Sequence, residues 1–227
     1  MPFTQSQVFA QVSVILSDID NVRWPLAELN GYLHRALVYI ATEKPSAMAE
    51  TTFLSLQAGA YQTLPDTWIA MARATRNVGP APNNTPRAAI TAVNRTALDA
   101  SMPGWSNPAI QPYASTVMHV MADPAEPRDY YVFPGNDGTG RIEVSVVRYP
   151  APLGGAPFSA NVPVPDIYFN VVVDLVISFA LRKDMALPGS AERAIAHMNE
   201  ARSALGLKRV NEKITTPRAA YAPEAAQ

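Results

Sequence analysis

The stretch DIYFNVVVDLVISFALR, residues 166–182, decides the fold. Its wealth of Val and Ile suits a strand or a membrane span as readily as a helix. The polar residues settle the matter. Asp166, Asn170, Asp174, Ser178 and Arg182 recur every four positions, which draws a slowly drifting polar stripe along a helix. A strand of period two would place Tyr168, Val172 and Val176 on that same polar face. The run is also too short, and too interrupted by carboxylates, to cross a bilayer. The spacing predicts a mostly buried helix capped by Asp166.

Helical pattern flanks this segment in sequence and returns at the other end of the chain. After Leu187-Pro188-Gly189, a last helix is expected to start near a Ser190 cap, to bury Ala194, Ile195, Met198, Ala201 and Leu205, and to end at Gly206 as the residue past its C-cap. Near the N-terminus, Thr4 and Gln7 form a T-x-x-Q capping box ahead of Val8, Phe9, Val12, Ile15, Leu16 and Ile19, whose 3–4 spacing predicts a helix over 5–19. The Asp18–Asn21 run ends it. Trp24-Pro25 starts a second helix, with Pro25 in the first turn, where its missing N–H costs nothing. Leu26, Leu29, Leu33, Leu37 and Ile40 form its buried stripe, and Lys44-Pro45 stops it.

Between residues 51 and 150 the pattern changes to short β-prone runs separated by turn chemistry. Strands are expected at 52–56, 61–64, 69–77, 92–94, 116–121, 130–133 and 141–149. The last two flank Pro134-Gly135-Asn136-Asp137-Gly138-Thr139-Gly140, rich in residues that tolerate positive φ, and are expected to pair as a β-hairpin. Gly79 to Arg87 reads as a polar, proline-rich loop, and Pro150 to Pro165 as a linker. The fold class is therefore α+β. Residues 1–48 and 164–206 make an antiparallel helical body, 49–163 a β-rich insertion, sandwich or barrel-like, and 207–227 an extended C-terminal arm without periodicity.

Composition narrows the function. Charged residues are 16% of the chain and apolar ones 48%, little charge for coating a monomer of this size. Such a surface fits either extensive contact with other protein or an Ala-rich enzyme. A net charge of −1 argues against binding DNA by phosphate neutralisation. The absence of cysteine excludes disulfides, thiolate nucleophiles and zinc–sulfur sites. The N-terminus lacks the pattern of a secretory signal, so a cytosolic origin is expected. His34, His119 and His197 fall on separate elements with no metal spacing, no G-x-S-x-G elbow is present, and the Gly135–Gly140 loop lacks the Gly-Lys-Ser/Thr ending of a phosphate loop. No catalytic residue, metal or cofactor is expected. Asp123, Glu126 and Asp129 read as a solvated turn, and Trp24, Trp68 and Trp105 as core anchors or interface residues.

Several local patterns occur together. Val22-Arg23-Trp24-Pro25 precedes a helix, and Gln62-Thr63-Leu64-Pro65 follows a strand. Asn94-Arg95 with Leu98-Asp99 leads to Pro103-Gly104-Trp105, then come Asp129-Tyr130-Tyr131-Val132-Phe133-Pro134 and Val164-Pro165-Asp166-Ile167-Tyr168. Over residues 5–206 this series resembles the head-to-tail adaptor (connector) proteins of short-tailed phages, departing from them near 79–86 and in the long arm. The resemblance implies a non-enzymatic ring of twelve subunits beneath the portal protein, at the capsid–tail junction of the virion, assembled in the host cytoplasm. It implies a channel through which DNA passes without sequence-specific binding, a platform for the tail nozzle protein, and no membrane. It also implies that the C-terminal segment reaches the portal, which gives Lys208, Arg209, Val210, Lys213, Ile214, Arg218 and Tyr221 a role in an arm that orders on portal grooves. Two other readings stay open: a glycan-binding or hydrolytic module on the β insertion, using Trp68 or Trp105 and the 123–129 loop, and another tail or capsid subunit.

Overall fold

Thr4 opens α1 (Gln5–Leu16) through the reciprocal cap that the T-x-x-Q spacing calls for: its N–H donates to Gln7 Oε1 at 2.8 Å, and its hydroxyl accepts from the Gln7 N–H. In the computed structural model, which describes residues 2–123, 126–184 and 188–215 (207–215 as backbone alone), α1 ends three residues earlier than expected. Ser17 turns left-handed (φ 56°) and its N–H closes on the carbonyls of Ser13 and Val14. Asp18 then accepts from the N–H groups of Val22, Arg23 and Trp24 at 2.9–3.1 Å. Ile19 is consequently 75% exposed instead of lying on the buried stripe, which consists of Val8, Phe9, Val12 and Leu16.

In α2 (Leu26–Glu43), Pro25 stands one position before the first turn and offers its carbonyl to the N–H groups of Glu28 and Leu29. The helix buries Leu29, Leu33, Ala36, Leu37, Ile40 and Ala41, while Leu26 is half-buried. The deciding segment is indeed helical. A 3₁₀ turn over Asp166–Tyr168 leads into α4 (Phe169–Leu181), so Asp166 begins that turn and Tyr168 takes the N-cap position. Val171–Val173 and Leu175–Leu181 are all buried. A helix apolar around most of its girth has to be enclosed, and α1, α2 and α5 (Ser190–Thr215) all pack against α4. Burying each such Val or Leu contributes roughly 1.5–3 kcal/mol.

The chain divides into two units, residues 1–47 with 150–227 and residues 48–149. The return to the helical unit thus falls at Pro150, earlier than the 163/164 boundary read from sequence. The stretch taken for a linker is hydrogen-bonded onto the start of α1: the N–H groups of Gln5 and Ser6 donate to the Ala160 and Phe158 carbonyls at 3.0 Å, and the Val162 N–H donates to the Phe3 carbonyl at 2.9 Å. Phe9 meets Phe158, and Phe3 meets Phe169, in edge-on contacts.

The described residues of 48–149 form two four-stranded sheets and, among them, no closed barrel. The strands are β1 (Ala49–Ser55), β2 (Ala58–Thr63), β3 (Trp68–Val78), β4 (Pro86–Ala89), β5 (Thr91–Ala92), β6 (His119–Asp123), β7 (Glu126–Asp137) and β8 (Arg141–Arg148). One sheet runs β1-β8-β3-β4 and the other β2-β7-β6-β5. Their facing residues, among them Leu56, Leu64, Trp68, Val120, Val132, Ile142, Val144 and Val146, form a shared core.

Four sequence expectations fail in this unit. The β7–β8 hairpin does not exist: β7 pairs with β2 and β6, and β8 with β1 and β3. The Asn136 side chain shapes the crossing between sheets by accepting from the Gly138 and Gly140 N–H groups and donating to the Ala114 carbonyl. β4 begins inside the supposed loop of residues 79–87. The strand placed at 92–94 covers Thr91–Ala92 alone, because Asn94 caps a seven-residue helix, α3 (Arg95–Ser101), by accepting from the Thr96 N–H. The strand expected over 116–121 is shifted to His119–Asp123.

Candidate functional site

α5 is the element that carries the candidate arm. Leu181 and the start of α5 are tied by Ser190, whose hydroxyl donates to the Leu181 carbonyl at 3.1 Å. One turn later the buried Ser178 hydroxyl of α4 donates to the Ala194 carbonyl at 2.8 Å. Ala194, Met198, Ala201 and Leu205 line the buried face, and the 4–3–4 spacing of these positions is what keeps them on one side of the helix. Ile195, expected on that face, is 59% exposed, since it follows Ala194 by one position and so points about 100° away. Arg193 donates to the Ile15 carbonyl of α1 at 3.3 Å and Arg202 to the Tyr39 hydroxyl of α2 at 2.9 Å, so α5 is pinned to three other helices.

The helix does not stop at Gly206. Its backbone continues to Thr215, giving 26 residues and a length of about 39 Å. Lys208, Arg209, Val210, Lys213 and Ile214 therefore sit on a continuous helical backbone, while Arg218 and Tyr221 lie outside the described residues. The signal was present in the sequence. Leu207, Val210 and Ile214 are spaced by three and four, the continuation of an apolar helical rhythm that the following prolines at 217 and 223 obscure.

Trp24, Trp68 and Trp105 are all buried, each in a different place. Trp24 donates through Nε1 to the Ala180 carbonyl at 3.1 Å, anchoring the α1–α2 turn to the end of α4. Trp68 lies in the sandwich core with the Arg148 guanidinium over its ring. Trp105 donates to Asp99 at 2.7 Å and sits edge-on to Tyr131 and Phe133 in a second cluster, on which Leu98 of α3 also packs. None of the three presents an open ring face of the kind that stacks on a sugar. Asp123 and Glu126 are paired across the β6–β7 turn, and Asp129 is paired with Thr63 in the β2–β7 ladder.

His34, His119 and His197 fall on α2, β6 and α5. His197 has acidic company that sequence spacing alone did not expose: its Nδ1 stands 2.9 Å from Asp174 Oδ1 of α4. Burial pushes the Asp174 carboxyl up, its hydrogen bond to His197 pulls it back, and the nearby Glu200 charge raises it further. Among the described residues, no helix is long and apolar enough to cross a membrane.

With this geometry in hand, residues 4–225 match the model of the SU10 adaptor protein family. The chain belongs to the SU10 adaptor protein family. No curated protein matches it. The SU10 adaptor match spans both units and most of the C-terminal segment, so the helical body, the β sandwich and α5 are all parts of one family architecture. Membership makes the chain a structural phage adaptor protein.

Proposed function

We propose that the chain is the repeating subunit of a head-to-tail adaptor ring, of twelve copies, seated beneath the portal. There it extends the DNA channel and offers a docking platform to the tail nozzle. The observation that carries this reading is the family match over 4–225, taken with a helix that does not end where its glycine would stop it: the helical backbone runs to Thr215, nine residues past Gly206. A helix with apolar positions at 207, 210 and 214 and cations at 208, 209 and 213 has the pattern of a segment that lies in a groove of a partner. Portal grooves with acidic rims are the partner assigned here. Low surface charge supports burial against neighbours on both flanks of a closed ring. So do Val14, Ile19, Val22 and Ile195, apolar residues of the helical unit that stand 59–81% exposed. A near-neutral balance suits a conduit in which DNA slides without being gripped.

Deleting residues 207–227 tests the arm. The truncated chain is expected to stay folded and to lose co-sedimentation with purified portal rings, whereas undiminished co-sedimentation would refute the arm's role. Electron microscopy of the full chain mixed with portal tests the ring. A coaxial ring on the portal is the expected result; monomers, or a ring located elsewhere, would overturn the placement.

A further inference from the structure

Three metal-binding side chains converge where α4 and α5 pack. Asp174 comes from α4, His197 and Glu200 from α5, and their ligand atoms all lie within 4.8 Å of one another. His197 and Glu200 are three apart on one helix, so they share a face, and packing sets Asp174 opposite them. The side chains of His197 and Asp174 are 21% and 19% exposed, while Glu200 is open to solvent. One turn further along the seam the chemistry is already committed: Ser178 is bonded to the Ala194 carbonyl, and Ala194, Met198 and Ala201 are apolar.

We propose that Asp174, His197 and Glu200 form a three-ligand site for a first-row divalent transition ion that ties α5 to α4. The distances suit it. Bonds of about 2.1 Å from such an ion to imidazole nitrogen and carboxylate oxygen put neighbouring ligands roughly 3 Å apart in an octahedron, which is the 2.9 Å separation between His197 Nδ1 and Asp174 Oδ1. Glu200, being exposed, closes on the same point by a change of rotamer. Charge agrees with distance. A protonated imidazole balances one carboxylate, and here two converge on it; a dication balances both. The mixture of one imidazole with two carboxylates favours zinc, cobalt or nickel over magnesium or calcium, which prefer all-oxygen shells. Remaining positions face solvent on the Glu200 side and are filled by water. The inference stands independently of the ring assignment, because it rests on the α4–α5 seam alone.

The test uses the full chain after chelator treatment. Titration with Zn²⁺ is expected to give saturable binding of one ion per chain and a melting temperature raised by several degrees, with Mg²⁺ giving neither. Co²⁺ is expected to give a visible d–d spectrum that His197→Ala abolishes. Glu200→Gln, a substitution at an exposed position compared with its own metal-free melting temperature, is expected to weaken Zn²⁺ binding by about tenfold or more. Should His197→Ala fail to fold, Glu200→Gln decides alone. Absence of saturable Zn²⁺ binding in the unmodified chain, or binding of undiminished affinity in Glu200→Gln, would overturn the site.

Discussion

Asn77, 2% exposed on β3, donates its amide to the Ala88 and Val117 carbonyls at 3.0 and 2.7 Å and accepts from the Val117 N–H at 2.8 Å. A single side chain thus satisfies three backbone groups, the two of Val117 fully buried, and leaving a buried group unpaired costs about 1–3 kcal/mol. Asn77→Ala is expected to destabilise the chain by about 2–4 kcal/mol, read from the shift in urea midpoint. Asn77→Asp should be worse, because a carboxylate has no N–H for either carbonyl and brings a buried charge. Equal losses in the two variants would mean that packing, not hydrogen bonding, governs the position. Contacts of this kind are illegible in sequence: an Asn in a strand pattern reads as a weak strand residue until the groups from positions 88 and 117 arrive around it. The same holds at the Asp174, His197 and Glu200 cluster, where the i,i+3 pair could be read along α5 but the third side chain comes from another helix.

At the scale of elements, legibility follows how far a pattern runs. The 3–4 rhythm of α2 and the four-residue polar recurrence of α4 extend over several turns, and both helices form where the pattern places them. Seven-residue α3 is too short for any periodicity to show, and the Asn94 cap was its one available signal. The Gly-rich run Pro134–Gly140, whose first four residues belong to the end of β7, marks a reversal of the chain, yet turn residues say nothing about which strands pair beyond it. Gly206 was misread for a related reason: glycine is common past helix ends, and its local signal outweighed the apolar spacing that resumes at Leu207. The alternatives make opposite predictions for Gly206→Ala. A left-handed residue past the helix end would be strained by a Cβ. A glycine inside α5, where a Cβ meets no heavy atom within 4 Å, gains about 0.5–1 kcal/mol of helix stability from alanine. We expect the substitution to raise both the helical circular-dichroism signal and the melting temperature; a fall in either would restore the helix end at 206.

For the molecule as a whole, the division at 47/48 and 149/150 leaves residues 48–149 with an apolar interior of their own. About a hundred residues is an ordinary domain size. The excised segment 48–149 is therefore expected to fold alone, with a β-type circular-dichroism spectrum and one cooperative urea transition; a non-cooperative transition would show that the sandwich depends on the helical unit. The layered α+β arrangement was readable because helical and β patterns occupy separate blocks of sequence. The 163/164 boundary was not, because residues 150–163 have no periodic pattern of their own and join the helical unit largely through their backbone carbonyls and N–H groups, which leave little trace in side-chain choice.

β1 and β8, the first and last strands of this segment, are antiparallel neighbours with Ala49 opposite Val147. The polypeptide therefore enters and leaves the sandwich through one closed stem, its two ends about 5 Å apart. Such a module is portable: a host loop needs to open by no more than the width of a strand pair to receive it. Tension applied through the two ends would peel β1 from β8 one residue pair at a time instead of shearing the whole ladder at once, which makes this stem the place where a mechanical load would first tell.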